Sequence, residues 1–305
     1  MRVVFMGTPD FALSSLEAVY NAGYDICAVY TQPDKPAKRG MKLSESPVKK
    51  FALEKGLKVL QPESLRRSPE VLEEFRALGA DIAVVVAYGK LLPDEMLAVP
   101  PLGCINIHGS LLPKYRGSAP IQWTVLNGEE EGGVTAMYLA HDMDAGDMIA
   151  SASTPVGEYE TYGELYDRLR VIGARLLLDT LRAIENGTAT RTAQDPALVS
   201  CAPPIMREDC PIDWTKPADK VINHIRGLAP KPAATAELGG SVFKIFSALK
   251  TGNDTTLPAG SVIAQTKQGL EIACGDGKSI VITELQAPGG KRMKTADYLR
   301  GHKII

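Results

Sequence analysis

Residues 2–30 constrain the fold more than any other stretch. Arg2-Val3-Val4-Phe5-Met6 reads as a short buried strand, and Gly7 breaks it. Thr8 then reads as a helix N-cap, with Pro9 at the first helical position, where its missing N–H costs nothing. Leu13, Leu16, Val19 and Tyr20 keep a helical spacing, Gly23 closes the segment, and residues 26–30 form a second strand-like run. A strand, a helix and a strand in that order indicate a parallel α/β sheet.

The same rhythm continues along the chain. Strands are expected at 59–60, 81–87, 103–107 and 134–139, and helices at 47–55, 69–78 and 119–127. Between them, Gln32-Pro33-Asp34-Lys35-Pro36 and Lys38-Arg39-Gly40 predict a long irregular loop over 31–49, of the kind compact domains keep for function. Thr161-x-x-Glu164 is a capping box, and Leu165, Leu169, Ile172, Leu176, Leu181 and Ile184 give the helix behind it one apolar face, stopped by Gly187. That helix closes a first domain, 1–189. Residues 190–207, with Pro196, Pro203 and Pro204, read as a linker. In 208–305 a helix at 217–228 gives way to short strands punctuated by Gly239-Gly240, Pro258-Ala259-Gly260 and Asp276-Gly277, the pattern of a small antiparallel barrel, with Thr295 capping a last helix.

Several function classes drop out. No apolar run approaches the ~18 residues that span a bilayer, and Gly7-Thr8-Pro9-Asp10 cuts the first apolar run too short for a signal peptide. The five cysteines are scattered and never form a C-x-x-C pair, which fits reduced thiols of a cytoplasmic protein better than a zinc site. A formal net charge of -2 over 305 residues argues against bulk nucleic-acid binding. The sum hides a split, with a net of -6 over residues 1–189 and +4 over 190–305. Residues 35–58 alone carry eight Lys/Arg against two Glu. Most such runs are solvated loops, but this one sits beside a strand end and suits phosphate.

Of the four histidines, His141, His224 and His302 read as surface residues. His108 ends a buried-looking strand, and Asn106, two residues earlier, shares its face at the carboxyl end of a parallel strand, where open α/β sheets bind ligands. Asp142, Asp144 and Asp147 follow the strand that ends near residue 139, and a carboxylate there can hold the tautomer of an imidazole at a neighbouring strand end. An Asn amide that donates to an oxyanion, a His that moves protons and an Asp that orients it suit acyl-type transfer. The plainer reading of Asn106, His108 and the acidic turn is that they satisfy loop backbone groups. No G-x-S-x-G elbow marks a nucleophile, Cys104 lies on a strand that reads as buried, and the Gly7-Thr8-Pro9-Asp10 turn is not the G-x-G-x-x-G of a dinucleotide site.

Taken together, Phe5-Met6-Gly7-Thr8-Pro9-Asp10-Phe11, Thr31-Gln32-Pro33-Asp34-Lys35-Pro36, Asn106-Ile107-His108-Gly109-Ser110-Leu111-Leu112-Pro113-Lys114-Tyr115-Arg116-Gly117 and Asp144-Ala145-Gly146-Asp147 resemble the methionyl-tRNA formyltransferase family, in order and over the whole chain. The resemblance implies a Rossmann-like, mostly parallel formyltransferase domain followed by an OB-fold-like barrel that also holds tRNA. It implies Asn106, His108 and Asp144 as the catalytic trio, and Ser110, Leu111, Leu112 and Pro113 as the folate loop. Lys38, Arg39 and Lys42 would meet the tRNA. It further implies 10-formyltetrahydrofolate as formyl donor without a metal, initiator methionyl-tRNA as acceptor, and a cytoplasmic monomer with no membrane partner. One departure stands out, because the family's Asn-Pro-Trp-Pro-Gly segment is replaced here by Ala229-Pro230-Lys231-Pro232-Ala233. Sugar-amine formyltransferases share the Asn106–Gly117 stretch but have no use for a basic 31–49 loop. A formyltetrahydrofolate hydrolase would share the folate chemistry, and a non-catalytic RNA-binding module would use the basic loop and barrel but leave the trio idle.

Overall fold

The computed structural model of the chain describes residues 1–37, 42–66 and 68–304. Its elements run β1 (Arg2–Gly7), α1 (Asp10–Asn21), β2 (Asp25–Tyr30), β3 (Lys35–Ala37), β4 (Lys42–Ser44), α2 (Pro47–Glu54), β5 (Val59–Leu60), α3 (Pro69–Ala77), β6 (Ile82–Val86) and α4 (Asp94–Leu97). They continue β7 (Cys104–His108), β8 (Arg116–Gly117), α5 (Pro120–Asn127), β9 (Glu131–Tyr138), β10 (Met148–Pro155), α6 (Tyr162–Glu185) and β11 (Cys201–Ala202). Last come α7 (Ala218–Leu228), β12 (Ala234–Leu238), β13 (Ser241–Asp254), β14 (Val262–Gln265), β15 (Leu270–Ala273), β16 (Lys278–Gln286), β17 (Met293–Lys294) and α8 (Thr295–Leu299). They form two compact units, the first from residues 1–117, 133–154 and 166–201, the second from 118–132, 155–165 and 202–305.

The first unit holds a seven-stranded sheet in the order β10-β9-β7-β6-β1-β2-β5. The five strands from β5 to β7 are parallel, and β9 turns antiparallel to β7. Both faces are covered, which is why the central strands are apolar throughout rather than alternating. Val4 and Met6 face a core with Tyr30, Phe75 and Met96. On the opposite face α6 lies so close that a Cβ on Gly173 would stand 3.1 Å from Ile107 Cγ2.

The turn after β1 demands glycine. A Cβ on Gly7 would stand 2.6 Å from Ala12 Cβ and 2.9 Å from the Val86 carbonyl. Thr8 does not cap α1 as expected; the helix starts at Asp10, with Pro9 at the N-cap. The Thr8 hydroxyl instead donates to Tyr88 O (3.2 Å) and accepts from Gln32 N (3.3 Å), while Gln32 Nε2 donates to Tyr88 O (3.0 Å). Three loops at the carboxyl end of the sheet are tied together this way, a use of the hydroxyl that capping would forgo.

The stretch expected to be an irregular loop contains regular structure. β3 and β4 pair antiparallel, Lys35 opposite Ser44 and Ala37 opposite Lys42. Pro36 is tolerated because an isolated two-stranded ribbon has only edge positions. The base of this hairpin is fixed. Lys49 Nζ donates to Asp34 at 2.5 Å, Gln61 Nε2 donates to Asp34 Oδ1 at 3.0 Å, and the Thr31 and Ser46 hydroxyls meet at 2.8 Å. Ser46 also caps α2 by accepting from Lys49 N at 3.0 Å. Lys38 and Arg39 lie outside the described residues.

The sheet's two edges differ in kind. β5 is only two residues long. β10, which the sequence did not announce, is mostly small and polar, carries exposed residues through its middle and ends at Pro155. Met148 at its start is bridged to Thr192 by two backbone hydrogen bonds of 2.8 and 2.9 Å.

The second unit is built on an antiparallel sheet, β12-β13-β16-β15-β14, with β17 beside β16. β13 slips register after Ile245, Ser247 and Lys250, the kind of irregularity that bends a strand. Val221, Ile222, Ile225 and Leu228 of α7 share a core with Ile245, Ile272, Ile282 and Leu285. Gly239 and Gly240, both left-handed, make the tight turn between β12 and β13. Two expectations fail here. Thr295 is the first residue of α8 and not its cap, and its fully buried hydroxyl has no hydrogen-bond partner among the described residues. His224 is not a surface residue but half-buried, with Nε2 donating to Cys210 O at 3.3 Å. No helix among the described residues is long and apolar enough to cross a membrane.

Candidate active site

β7 delivers Asn106 and His108 to one face of the sheet, as two-residue spacing requires. Both are nearly enclosed, at 9% and 6% exposure. His108 is pinned from two sides. Its Nε2 donates to the Tyr115 carbonyl at 2.9 Å, and its Nδ1 stands 3.6 Å from Asp144 Oδ2. The same carboxylate oxygen accepts from Gly117 N at 2.9 Å. Segment 115–117 therefore orients both the imidazole and the carboxylate.

The two residues that flank the ring sit in the left-handed backbone region, Tyr115 at φ 63° and Asp144 at φ 53°. An aspartate tolerates that conformation; in a tyrosine it costs about 1–2 kcal/mol. Such strain collects where a site fixes a group in place. The turn carrying Asp144 is also tight, because a Cβ on Gly146 would overlap Tyr138 O at 1.8 Å. Of the three aspartates in that turn only Asp144 reaches His108. Asp142 is exposed, and Asp147 is 3.8 Å from Arg191 at the surface.

The loop that follows His108 is organised by Thr135, its register partner on β9. Thr135 Oγ1 donates to Ser110 O at 2.7 Å and accepts from Leu112 N at 3.1 Å. Ser110 Oγ donates to Lys114 O at 2.6 Å. Ser110 and Leu112 are consequently buried, and Leu111 and Pro113 are half-exposed. Leu111 lies over Gly133, where a Cβ would come within 2.4 Å of Leu111 Cδ2.

Asn106, by contrast, has no hydrogen-bonding partner for its amide among the described residues, although it is 9% exposed. An enclosed, uncommitted amide next to an oriented imidazole can donate to a reacting carbonyl oxygen. Cys104, on the same strand face, is no rival nucleophile, since burial pushes its thiol up to about 12. Among the described residues no group of three or more His, Cys, Asp or Glu is placed to hold a metal ion. Of the basic residues singled out, Lys42 belongs to β4, and Lys38 and Arg39 are outside the described residues.

Sequence reasoning missed Tyr115, Gly117 and Thr135. The first two act through backbone atoms, which no side-chain motif announces. Thr135 had a faint signal, a hydroxyl in the middle of the apolar run Val134–Met137.

Comparison with known proteins agrees in both halves of the chain. A formyl transferase family profile matches residues 1–181, and a formyl transferase C-terminal domain profile matches 204–303. Methionyl-tRNA formyltransferase of Ruminiclostridium cellulolyticum is 46% identical over 306 residues, covering 100% of this chain and 97% of that protein. That of Caldanaerobacter subterraneus subsp. tengcongensis is 45% identical over 304 residues, covering 100% and 98%. Among solved structures, the sugar 3N-formyl transferase WlaRD, crystallised with dTDP and 5-N-formyl-THF, has a TM-score of 0.70 at 20% identity, covering 92% of this chain and 97% of its own. An N-formyltransferase from Helicobacter canadensis gives 0.69 at 19%, covering 92% and 98%. At that identity the structural likeness speaks for the fold.

Proposed function

Because the chain belongs to the methionyl-tRNA formyltransferases, we propose that Asn106, His108 and Asp144 are the groups with which it moves a formyl group from a folate-derived donor to the α-amine of initiator methionyl-tRNA. The observation that carries this reading is the His108–Asp144 pair at 3.6 Å with the uncommitted Asn106 amide on the same strand face. The donor is 10-formyltetrahydrofolate, met by the 110–113 loop through its half-exposed residues Leu111 and Pro113. The enzyme works as a monomer in the cytoplasm.

The amine nitrogen attacks the formyl carbon, and the carbonyl electrons move onto oxygen, where the Asn106 amide donates. His108 Nε2–H is occupied by Tyr115 O, so Nδ1 is the nitrogen that takes the amine proton, directly or through a water. The imidazolium so formed lies beside the Asp144 carboxylate, which stabilises it at the moment it appears. Collapse of the tetrahedral intermediate breaks the bond to N10 of the folate, and the proton returns to that nitrogen. The chain needs no nucleophile of its own, in keeping with the inert Cys104.

Incubation with 10-formyltetrahydrofolate and charged initiator tRNA, a UDP-amino-sugar or water alone tests the reading by following the formyl group. Transfer to the tRNA is expected. His108→Ala and Asp144→Ala are expected to fold as the parent and to lose about 10²–10⁴ in turnover; near-parental turnover in both overturns the assignment.

A further inference from the structure

Asp144 does not hold its own position. Its backbone is left-handed, its turn runs close against the Tyr138 carbonyl, and among the described residues its carboxylate has one fixed donor, Gly117 N. What keeps the turn in place comes from far along the chain. Gln194, 9% exposed, donates from Nε2 to Asp144 O at 2.8 Å and to Gly146 O at 2.9 Å. Its Oε1 accepts from Arg116 Nε at 2.9 Å and Nη2 at 2.8 Å.

Both ends of one amide are thus fully used, and they join the two segments that frame His108. One segment, 115–117, supplies the Tyr115 carbonyl to Nε2 and the Gly117 N–H to Asp144. The other, 144–146, supplies the carboxylate facing Nδ1. A glutamine is suited to this because it is donor and acceptor at once. A glutamate would keep the Arg116 contacts but turn an oxyanion toward two carbonyl oxygens, and a leucine would keep only the volume.

From this we infer that Gln194 is a positioning residue for the transfer reaction, acting through Asp144 by clamping the 144–146 turn to Arg116. The inference rests on the reading of Asn106, His108 and Asp144 given above. The Gln194 amide bonds the backbone carbonyls of Asp144 and Gly146 and the Arg116 guanidinium, and neither the His108 ring nor the Asp144 carboxylate. Its loss should lower turnover without loosening either substrate, since misplacement of a catalytic group by about 1 Å can cost of the order of 10²-fold.

The test is a double-mutant cycle in the full chain, with kcat and both KM values measured for the parent, Gln194→Leu, Asp144→Ala and the double variant. Gln194→Leu is expected to lower kcat by about 10–100-fold with each KM within about threefold. In the Asp144→Ala background the same substitution is expected to change kcat by less than about twofold, because the group it positions is gone. A loss in that background as large as in the parent, or parental kcat in Gln194→Leu, overturns the inference. If Gln194→Leu does not fold, Gln194→Glu runs the same cycle, with the Arg116 contacts kept and the two donors lost. The functional reading fails separately and visibly, as a parent without transfer or an Asp144→Ala variant with full turnover.

Discussion

Thr135 carries more of the site than any residue the sequence singled out for the folate loop. One hydroxyl satisfies both Leu112 N and Ser110 O inside a nearly closed environment. Thr135→Val keeps the shape and strands both groups, so it should cost about 1–3 kcal/mol and loosen the loop. Thermal unfolding should fall by several degrees, and the KM for the folate should rise while that for tRNA holds; an unchanged melt would show that the loop does not depend on this hydroxyl. The proposed trio was legible in part, because its chemistry is carried by side chains, two of them at a strand spacing on β7. Asn106 and His108 share a face by the period of two, the acidic turn 142–147 was placed beyond a neighbouring strand, and only the family resemblance singled out Asp144 within it. Tyr115, Gly117 and Gln194 were not legible. The first two work through a carbonyl and an N–H that every sequence has, and Gln194 reaches the site across fifty positions of chain to Asp144.

At the scale of elements, local patterning placed most helices and strands within a residue or two. It failed where tertiary hydrogen bonds outweighed local preference, as at Thr8 and in β10, and at Thr295, which opens α8 with a buried hydroxyl instead of capping it. α7 shows a further such case. Burial holds the His224 imidazole below its ordinary value of 6.5. The unfolded chain therefore binds the proton first, and the stability due to neutral His224 is full above pH 6.5 and drains away as pH falls from there toward the folded value. Melts of the parent between pH 7.5 and 5 should slope downward toward acid more steeply than those of His224→Gln. Parallel curves would mean that His224 does not titrate across unfolding. The end of α7 offers the opposite opportunity. Ala233 is fully buried at φ 75°, in the position where the family resemblance supplies glycine. Ala233→Gly relieves a left-handed alanine and should stabilise the chain by about 1 kcal/mol, read as a higher denaturant midpoint at constant slope.

Across the whole molecule, the small net charge of -2 conceals two basic regions in a chain that is otherwise acidic. An enzyme that meets tRNA through local basic patches should show a KM for tRNA that rises with salt while the KM for folate stays flat. Arg39→Ala should raise the KM for tRNA and flatten that salt dependence, and unchanged tRNA kinetics across a salt series would remove Arg39 from the contact. The described part of this basic stretch is fixed at the base of the β3–β4 hairpin, where Lys49 and Gln61 both donate to Asp34. The sheet edges have a consequence of another kind. An unpaired strand is a template on which a second chain can grow, and open sheets commonly aggregate by that route. Here one border offers two residues, and the other offers small polar side chains, a proline and a first residue already bridged to Thr192. Both borders are blunted against sheet growth between copies, one by its shortness and the other by a proline end and a bridged first residue. In a crowded solution, association of folded copies through the backbone of this sheet is thereby disfavoured.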